Sequence, residues 1–279
     1  MPRALGLGAK ERAIMASQGM MSTTRLWLRK GASLKTPTLV VGFPGLGRIG
    51  RIALKHLAKS LDCGLVGFVT SPYFSSQAIV TKGGSARLMR GELYAKRLGS
   101  GEDLLLFTGD EHYSDIQGEY ETSYKLLRFF KRVGGKMVVT MGGHAAVSEN
   151  SSRVMCFATD KRMLAKAVEA GAVQAPRGTP IVGISGVLVA LAKLKGVPAV
   201  CFLGETVGLA PDFRAAKNVL AAVAKMLSLE VDLSPLDAGA RGLSKLLEEM
   251  EERYDALVQR EPLDRLVEEA RGHGPDYVS

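Results

Sequence analysis

Short apolar runs alternate with amphipathic stretches along most of this chain. Residues 38–43, 65–70, 103–108, 136–141, 181–184 and 199–203 read as strands, and residues 48–61, 118–133, 161–170, 186–195 and 213–227 read as helices. The strands are unbroken in Val, Ile, Leu and Phe instead of alternating with polar residues. That pattern predicts a mainly parallel sheet covered on both faces, a three-layer α/β/α domain. Residues 79–93, with Thr81-Lys82-Gly83-Gly84 as a turn, predict a hairpin beside that sheet.

The character changes after Pro235. Leu243, Leu246, Leu247, Met250, Tyr254, Leu257 and Val258 recur at helical spacing among Glu248, Glu249, Glu251 and Glu252, and a continuation over 263–271 follows Pro262. This apolar stripe either docks on its own domain or forms a stalk presenting the tail Gly272-His273-Gly274-Pro275-Asp276-Tyr277-Val278-Ser279. At the other end, residues 1–24 carry Gly6, Gly8 and Gly19 and alternative starts at Met20 and Met21, and read as a flexible leader. The expected organisation is a leader over 1–24, an α/β core over 25–240 and a helical extension with a flexible tail over 241–279.

Composition narrows the class. With 279 residues, 46% of them hydrophobic, the chain can bury a sizeable core. Its 37 Lys and Arg outnumber 28 Asp and Glu, for a net charge of +9. The basic residues are scattered, without the aromatic interleaving of a single-strand binder, so no nucleic-acid partner is expected. Cys63, Cys156 and Cys201 are far apart and odd in number, which predicts reduced core residues of an intracellular protein. The four histidines lie at no ligand spacing from a cysteine or from one another, so no metal site is proposed. Lacking a membrane-length apolar run and a signal-peptide core, the sequence predicts a cytoplasmic protein with no membrane partner.

The stretch from Gly45 through Gly47 to Gly50, directly after an apolar strand, forms G-x-G-x-x-G at the head of a helix. A dinucleotide fold also needs a carboxylate at the end of the second strand to hold the ribose, and there the chain reads Thr70-Ser71-Pro72. Asp62 precedes that strand and lies at the wrong end. No nicotinamide cofactor is therefore expected, and Gly45, Gly47 and Gly50 are expected to serve a tight strand-to-helix crossing. Valine at Gly45 or Gly47 should destabilise the fold. Further glycine-bearing turns follow the strands at Gly109, at Gly142-Gly143-His144 and at Gly204-Glu205-Thr206, and a parallel sheet would bring all of them to one crevice. Gly143, His144, Ser185, Glu205 and Thr206 are its candidate residues beside the three glycines, with Asp110, Glu111 and His112 as further acid–base groups. Each has a duller account: Ser185 as a helix cap, His144 bonding a loop carbonyl, Glu205 capping a turn. Ser185 is not in G-x-S-x-G, so a hydrolase elbow is unsupported.

Five blocks in order carry a resemblance. These are Gly42-Phe43-Pro44-Gly45-Leu46-Gly47-Arg48-Ile49-Gly50, Gly142-Gly143-His144, Pro180-Ile181-Val182-Gly183-Ile184-Ser185-Gly186, Cys201-Phe202-Leu203-Gly204-Glu205-Thr206 with Pro211-Asp212-Phe213, and Val231-Asp232-Leu233-Ser234-Pro235-Leu236. Together they resemble the proteasome assembly chaperone 2 family in its archaeal form, over residues 40–236. The resemblance implies an α/β/α fold similar to nucleoside phosphorylases, homo-oligomerisation, binding to 20S proteasome α-subunits, no catalytic residues and no cofactor. The alternative function is a nucleotide or nucleoside binder or enzyme using the glycine-rimmed crevice. Some family members dock through a terminal motif with tyrosine as the penultimate residue. Here Tyr277 is third from the end, followed by Val278 and Ser279, so the candidate partner-binding tail is shifted by one.

Overall fold

The computed structural model describes residues 23–31, 34–99, 101–146, 151–208 and 210–260, with side chains as far as residue 250. In chain order the strands are β1 (Arg25–Leu28), β2 (Thr38–Gly42), β3 (Gly64–Thr70), β4 (Ala78–Val80), β5 (Ala86–Leu88), β6 (Gly91–Arg97), β7 (Asp103–Gly109), β8 (Met137–Ala145), β9 (Val154–Ala158), β10 (Val173–Gln174) and β11 (Ala199–Thr206). The helices are α1 (Ile49–Ser60), α2 (Ile116–Arg132), α3 (Lys161–Glu169), α4 (Ile184–Leu194), α5 (Phe213–Leu227) and α6 (Ser234–Arg260), with a short 3-10 turn (Leu46–Arg48) before α1. Asp115, Asp160 and Asp212 each accept a backbone N–H at the start of a helix, which fixes where α2, α3 and α5 begin.

Hydrogen bonding orders one nine-stranded sheet as β1-β3-β6-β7-β2-β8-β11-β9-β10, with β4 and β5 pairing in a separate ribbon. α1, α5 and α3 pack side by side, and α2 packs beside α4. This gives the three-layer character that the alternation of elements predicts.

The sheet is mixed, however, and the expected mainly parallel arrangement holds at its centre and in the short edge pair of β9 and β10. β7, β2, β8 and β11 run parallel at the centre. β1 with β3, β3 with β6, β6 with β7, and β9 with β11 are antiparallel. The physical reason is visible strand by strand. β2 and β7 are buried at every position, which is what an unbroken apolar run reports. β3 and β6 bury only one face in part, and residues 98–102 between β6 and β7 are too few for a parallel crossover. Residues 79–93 do supply a ribbon, but its later part enters the main sheet as β6. Residues 181–184 are not a strand: β8 and β11 are already hydrogen-bonded on both edges, Val182 is 91% exposed, and Gly183 at φ 94° caps α4.

The core runs through Leu39, Leu105, Phe107, Phe130 and Leu203 and reaches the carboxyl end of the central strands in stacked rings. There Phe43 lies 5.0 Å from Phe107 and 5.6 Å from Tyr113, which itself stacks on Phe74 at 4.4 Å. Cys156 and Cys201 are buried and Cys63 is half-buried, with no disulfide among them. Burial pushes the Cys63 thiol up to about 11 and the Cys201 thiol up to about 12, which leaves both protonated and inert.

A polar cluster fastens α1 to the antiparallel side. Glu92 on β6 accepts from Lys55 of α1 at 2.7 Å, from Tyr94 at 2.6 Å and from Arg90 at 3.1 Å. Burial alone would raise its carboxyl, but these donors win and hold it down at about 2. A depressed carboxyl stabilises fully above its unfolded value near 4.5 and loses that contribution as the pH falls toward 2. Urea midpoints should therefore drop steeply between about pH 5 and pH 2, and Glu92→Gln should remove on the order of 2–3 kcal/mol at pH 7 while flattening that dependence. An acid limb as steep in Glu92→Gln as in the parent would refute the assignment.

The described residues divide into two compact units, one ending at Leu233 and one starting at Ser234. The second comprises α6, whose start precedes the stripe that announces it in sequence, because Gly239 and Gly242 interrupt the pattern. On α6, Leu246, Leu247 and Met250 are exposed. Of the expected leader, Thr23 and Thr24 are described and bound to α2, with the Thr24 N–H donating to Glu121 at 2.9 Å. Its remainder lies outside the described residues.

Candidate functional site

The parallel strands β2, β7, β8 and β11 all finish at one edge, so the glycine-bearing turns that follow them do converge. Between them lies a hollow of about 400 Å³, walled by Phe43, Pro44, Gly45 and Leu46 on one side and Pro180 to Ser185 on another, with Gly142, Gly143, His144, Leu203 and His112. Gly45, Gly143, His144 and Ser185 line it. Gly47, Gly50, Glu205 and Thr206 do not line it.

The reasons are local. Gly50 sits where α1 crosses the sheet: a Cβ there would lie 2.4 Å from the Met141 carbonyl oxygen and 2.9 Å from that of Phe43. Gly47 has φ 61° and faces Thr206, while its carbonyl oxygen accepts from the Asp212 N–H at 2.8 Å. Both glycines serve the crossing. Gly45 differs from expectation, since its φ of −169° is ordinary extended backbone and a Cβ would meet nothing within 4 Å. Gly143 lets the Leu46 carbonyl approach, as a Cβ would stand 2.4 Å from that oxygen. Thr206 is buried and accepts from the Gly208 N–H at 3.1 Å.

The polar candidates are mostly engaged elsewhere. Ser185 is not a cap, because α4 starts at Ile184 with Gly183 in the cap position. Its hydroxyl donates to the Met141 carbonyl at 3.1 Å and its own carbonyl accepts from Thr140 at 3.1 Å, which ties α4 to β8. Asp110 is held by Arg87 and by the Arg90 N–H, Glu111 pairs with Arg48 at 2.8 Å, and Glu205 accepts from Ser151 with Arg153 at 3.7 Å. Glu205 lines a second hollow, which His144 also reaches.

One pairing is new. His112 presents Nδ1 to Glu119 at 3.2 Å and to the Tyr113 carbonyl at 3.1 Å, and its Nε2 would stand 3.1 Å from a Cβ on Gly183, at the start of α4. Glu119 is buried on the core side of α2; burial pushes its carboxyl up and the nearby His112 pulls it down. The carboxylate fixes the ring, so one imidazole nitrogen faces the hollow. The signal for Glu119 was a carboxylate on the inward face of an amphipathic helix, and the Pro180-Ile181-Val182-Gly183 wall was hidden because it read as a strand. Tyr277, Val278 and Ser279 lie outside the described residues.

The arrangement speaks against dinucleotide binding. β3, whose end would have to supply the ribose carboxylate, is separated from β2 by β6 and β7, roughly 14 Å at the usual strand spacing. Titration calorimetry should find neither NAD nor NADP binding tighter than about 10 μM, equivalent to roughly −7 kcal/mol. A tighter isotherm would show that the glycine turn is a nucleotide loop after all.

A family model described as the PAC2 family matches residues 39–251. The chain belongs to the PAC2 family. Among solved structures, this PAC2 chain is similar to Pyrococcus furiosus PbaB, described as an archaeal proteasome activator, with 30% identity and a TM-score of 0.76, covering 83% of this chain and 100% of that one. It is also similar to Pyrococcus furiosus PbaA, described as an archaeal homolog of proteasome-assembly chaperone, at 25% identity and a TM-score of 0.73, covering 89% and 99%. An uncharacterized protein of Methanocaldococcus jannaschii is 27% identical over 228 residues, 81% of this chain and 87% of that one. The PAC2 match takes in the whole wall of the hollow and both of its histidines.

Proposed function

We propose that this PAC2 protein is a proteasome assembly chaperone-like binding protein of the cytoplasm, which self-associates and engages 20S proteasome α-subunits without catalysing a reaction. The observation that carries this reading is the family match over residues 39–251, joined to the likeness to PbaB and PbaA over nearly their full lengths. The site supports it. A hydrolase or transferase needs convergent polar groups around a reacting atom, whereas here Ser185, Asp110, Glu111 and Glu205 hold the fold together. Neither nucleic acid nor membrane is a partner in this reading.

A second reading keeps the hollow as a nucleotide or nucleoside site. It is favoured by the open 400 Å³ volume and by the His112–Glu119 pair beside the positive end of α4. The deciding experiment immobilises the full chain and offers purified 20S α-subunits. Retention at low micromolar concentration, undisturbed by added nucleosides, is the expected result. No retention at any stoichiometry would overturn the chaperone reading and leave the hollow as the functional site.

A further inference from the structure

We propose that the outward face of α2 together with the last turn of α4 is a docking surface for an acidic, partly apolar segment of a partner polypeptide. Ile116, Tyr120 and Tyr124 recur one turn apart along α2, all exposed, and Leu194 at the end of α4 is 81% exposed. Arg128, Lys131 and Lys195 join them into one surface. Lys131 donates to the Lys195 carbonyl at 3.1 Å, and Lys195 and Arg128 stand 4.7 and 5.9 Å from the Tyr124 ring. Lys193 and Arg132, both exposed, adjoin Leu194 and Lys131 in sequence.

Elsewhere on this protein several cations have carboxylate partners: Arg87 with Asp110, Lys55 with Glu92, Arg97 with Asp103, Lys136 with Glu102. Among the described residues, Arg128, Lys131, Arg132, Lys193 and Lys195 form no ion pair. Helix macrodipoles account for basic residues in a last turn, at about 0.3–1 kcal/mol each. They give no reason for Leu194 and Tyr124 to be bare beside them. Apolar and aromatic anchors ringed by unpaired like charges are the makings of an interface whose partner brings the opposite charge. Two observations favour a polypeptide over single-stranded nucleic acid: the Tyr124 ring is already engaged by two cations, and the aliphatic Ile116 and Leu194 offer bases nothing to stack on.

This inference does not rest on the proteasome reading. The probe is a fluorescein-labelled helical peptide of about 15 residues made of Glu, Leu and Ala, long enough to lay four turns along the surface. Anisotropy is followed with the full chain at low salt, beside a control peptide with Gln for Glu and an oligothymidylate of equal length. The acidic peptide should bind with micromolar affinity and the Gln control at least tenfold more weakly. Arg128→Gln/Lys195→Gln should lose at least tenfold and Leu194→Ser several-fold, with melting curves and oligomer mass unchanged. Equal binding by parent and both variants would overturn the proposal, as would tighter binding of the oligothymidylate. A changed oligomer mass in either variant would also overturn it, by making the face a contact between copies.

Discussion

Replacing Gly50 with valine is expected to destabilise the α/β unit severely, lowering its urea midpoint far below that of the parent. A Cβ at this position would fall 2.4 Å from the Met141 carbonyl oxygen and 2.9 Å from that of Phe43, both main-chain atoms of the buried sheet edge. No side-chain rotation relieves such contacts, so α1 must lift from β2 and β8, exposing Ile49, Leu54 and Leu57. Overpacking against rigid backbone costs roughly 3–5 kcal/mol, a large share of the ~5–15 kcal/mol that holds a domain folded. Gly45→Ala is the internal control, since its extended backbone and open surroundings predict a change within about 0.5 kcal/mol. Gly47→Val should fall between the two: φ 61° is strained for a β-branched residue, and Thr206 stands 3.1 Å from the new atom. Urea unfolding followed by circular dichroism ranks the three variants. A parent-like midpoint for Gly50→Val would mean that the helix does not cross the sheet as closely as described.

Deleting Tyr277 to Ser279 should weaken 20S α-subunit binding by at least tenfold, with oligomer mass and thermal unfolding unchanged. Within the proposed function, the sequence reading expects the segment after Gly272, Gly274 and Pro275 to reach a pocket on another protein. Tyr277 offers a rigid aromatic anchor. Burying one tyrosine in an interface contributes about 2 kcal/mol or more, which corresponds to roughly thirtyfold in affinity. Surface plasmon resonance on immobilised α-subunits measures the change. Undiminished binding would move the contact to the folded units and end the tail-docking idea. Loss of the oligomer on removing residues 242–279 would make α6 part of the subunit interface.

Much of the fold was legible along the chain. The apolar runs that became β2, β7, β8 and β11 were found within a few residues, as were α1 to α5, because hydrophobic periodicity reports burial and burial is what packing rewards; α6 was found, but it starts seven residues before the expected extension. Shorter strands such as β1 and β10 carry too few residues for a pattern, and residues 181–184 looked like a strand because Ile and Val line a hollow there as they would a sheet. The convergence of the glycine turns followed from the parallel centre. Which of them touched the hollow did not.

By itself the sequence determined the layered α/β class, the central strands, the helix positions and the PAC2 relationship. These depend on side-chain character read in order, and on residues whose spacing the chain preserves. Tertiary structure alone decided the antiparallel flanks, since strand direction is set by which neighbour closes the hydrogen bonds and by whether the connection is long enough to cross over. It also decided that Gly50 and Gly143 answer to distant carbonyl oxygens and that His112 meets Glu119. Such contacts join residues from different elements, at separations in space that no local pattern encodes.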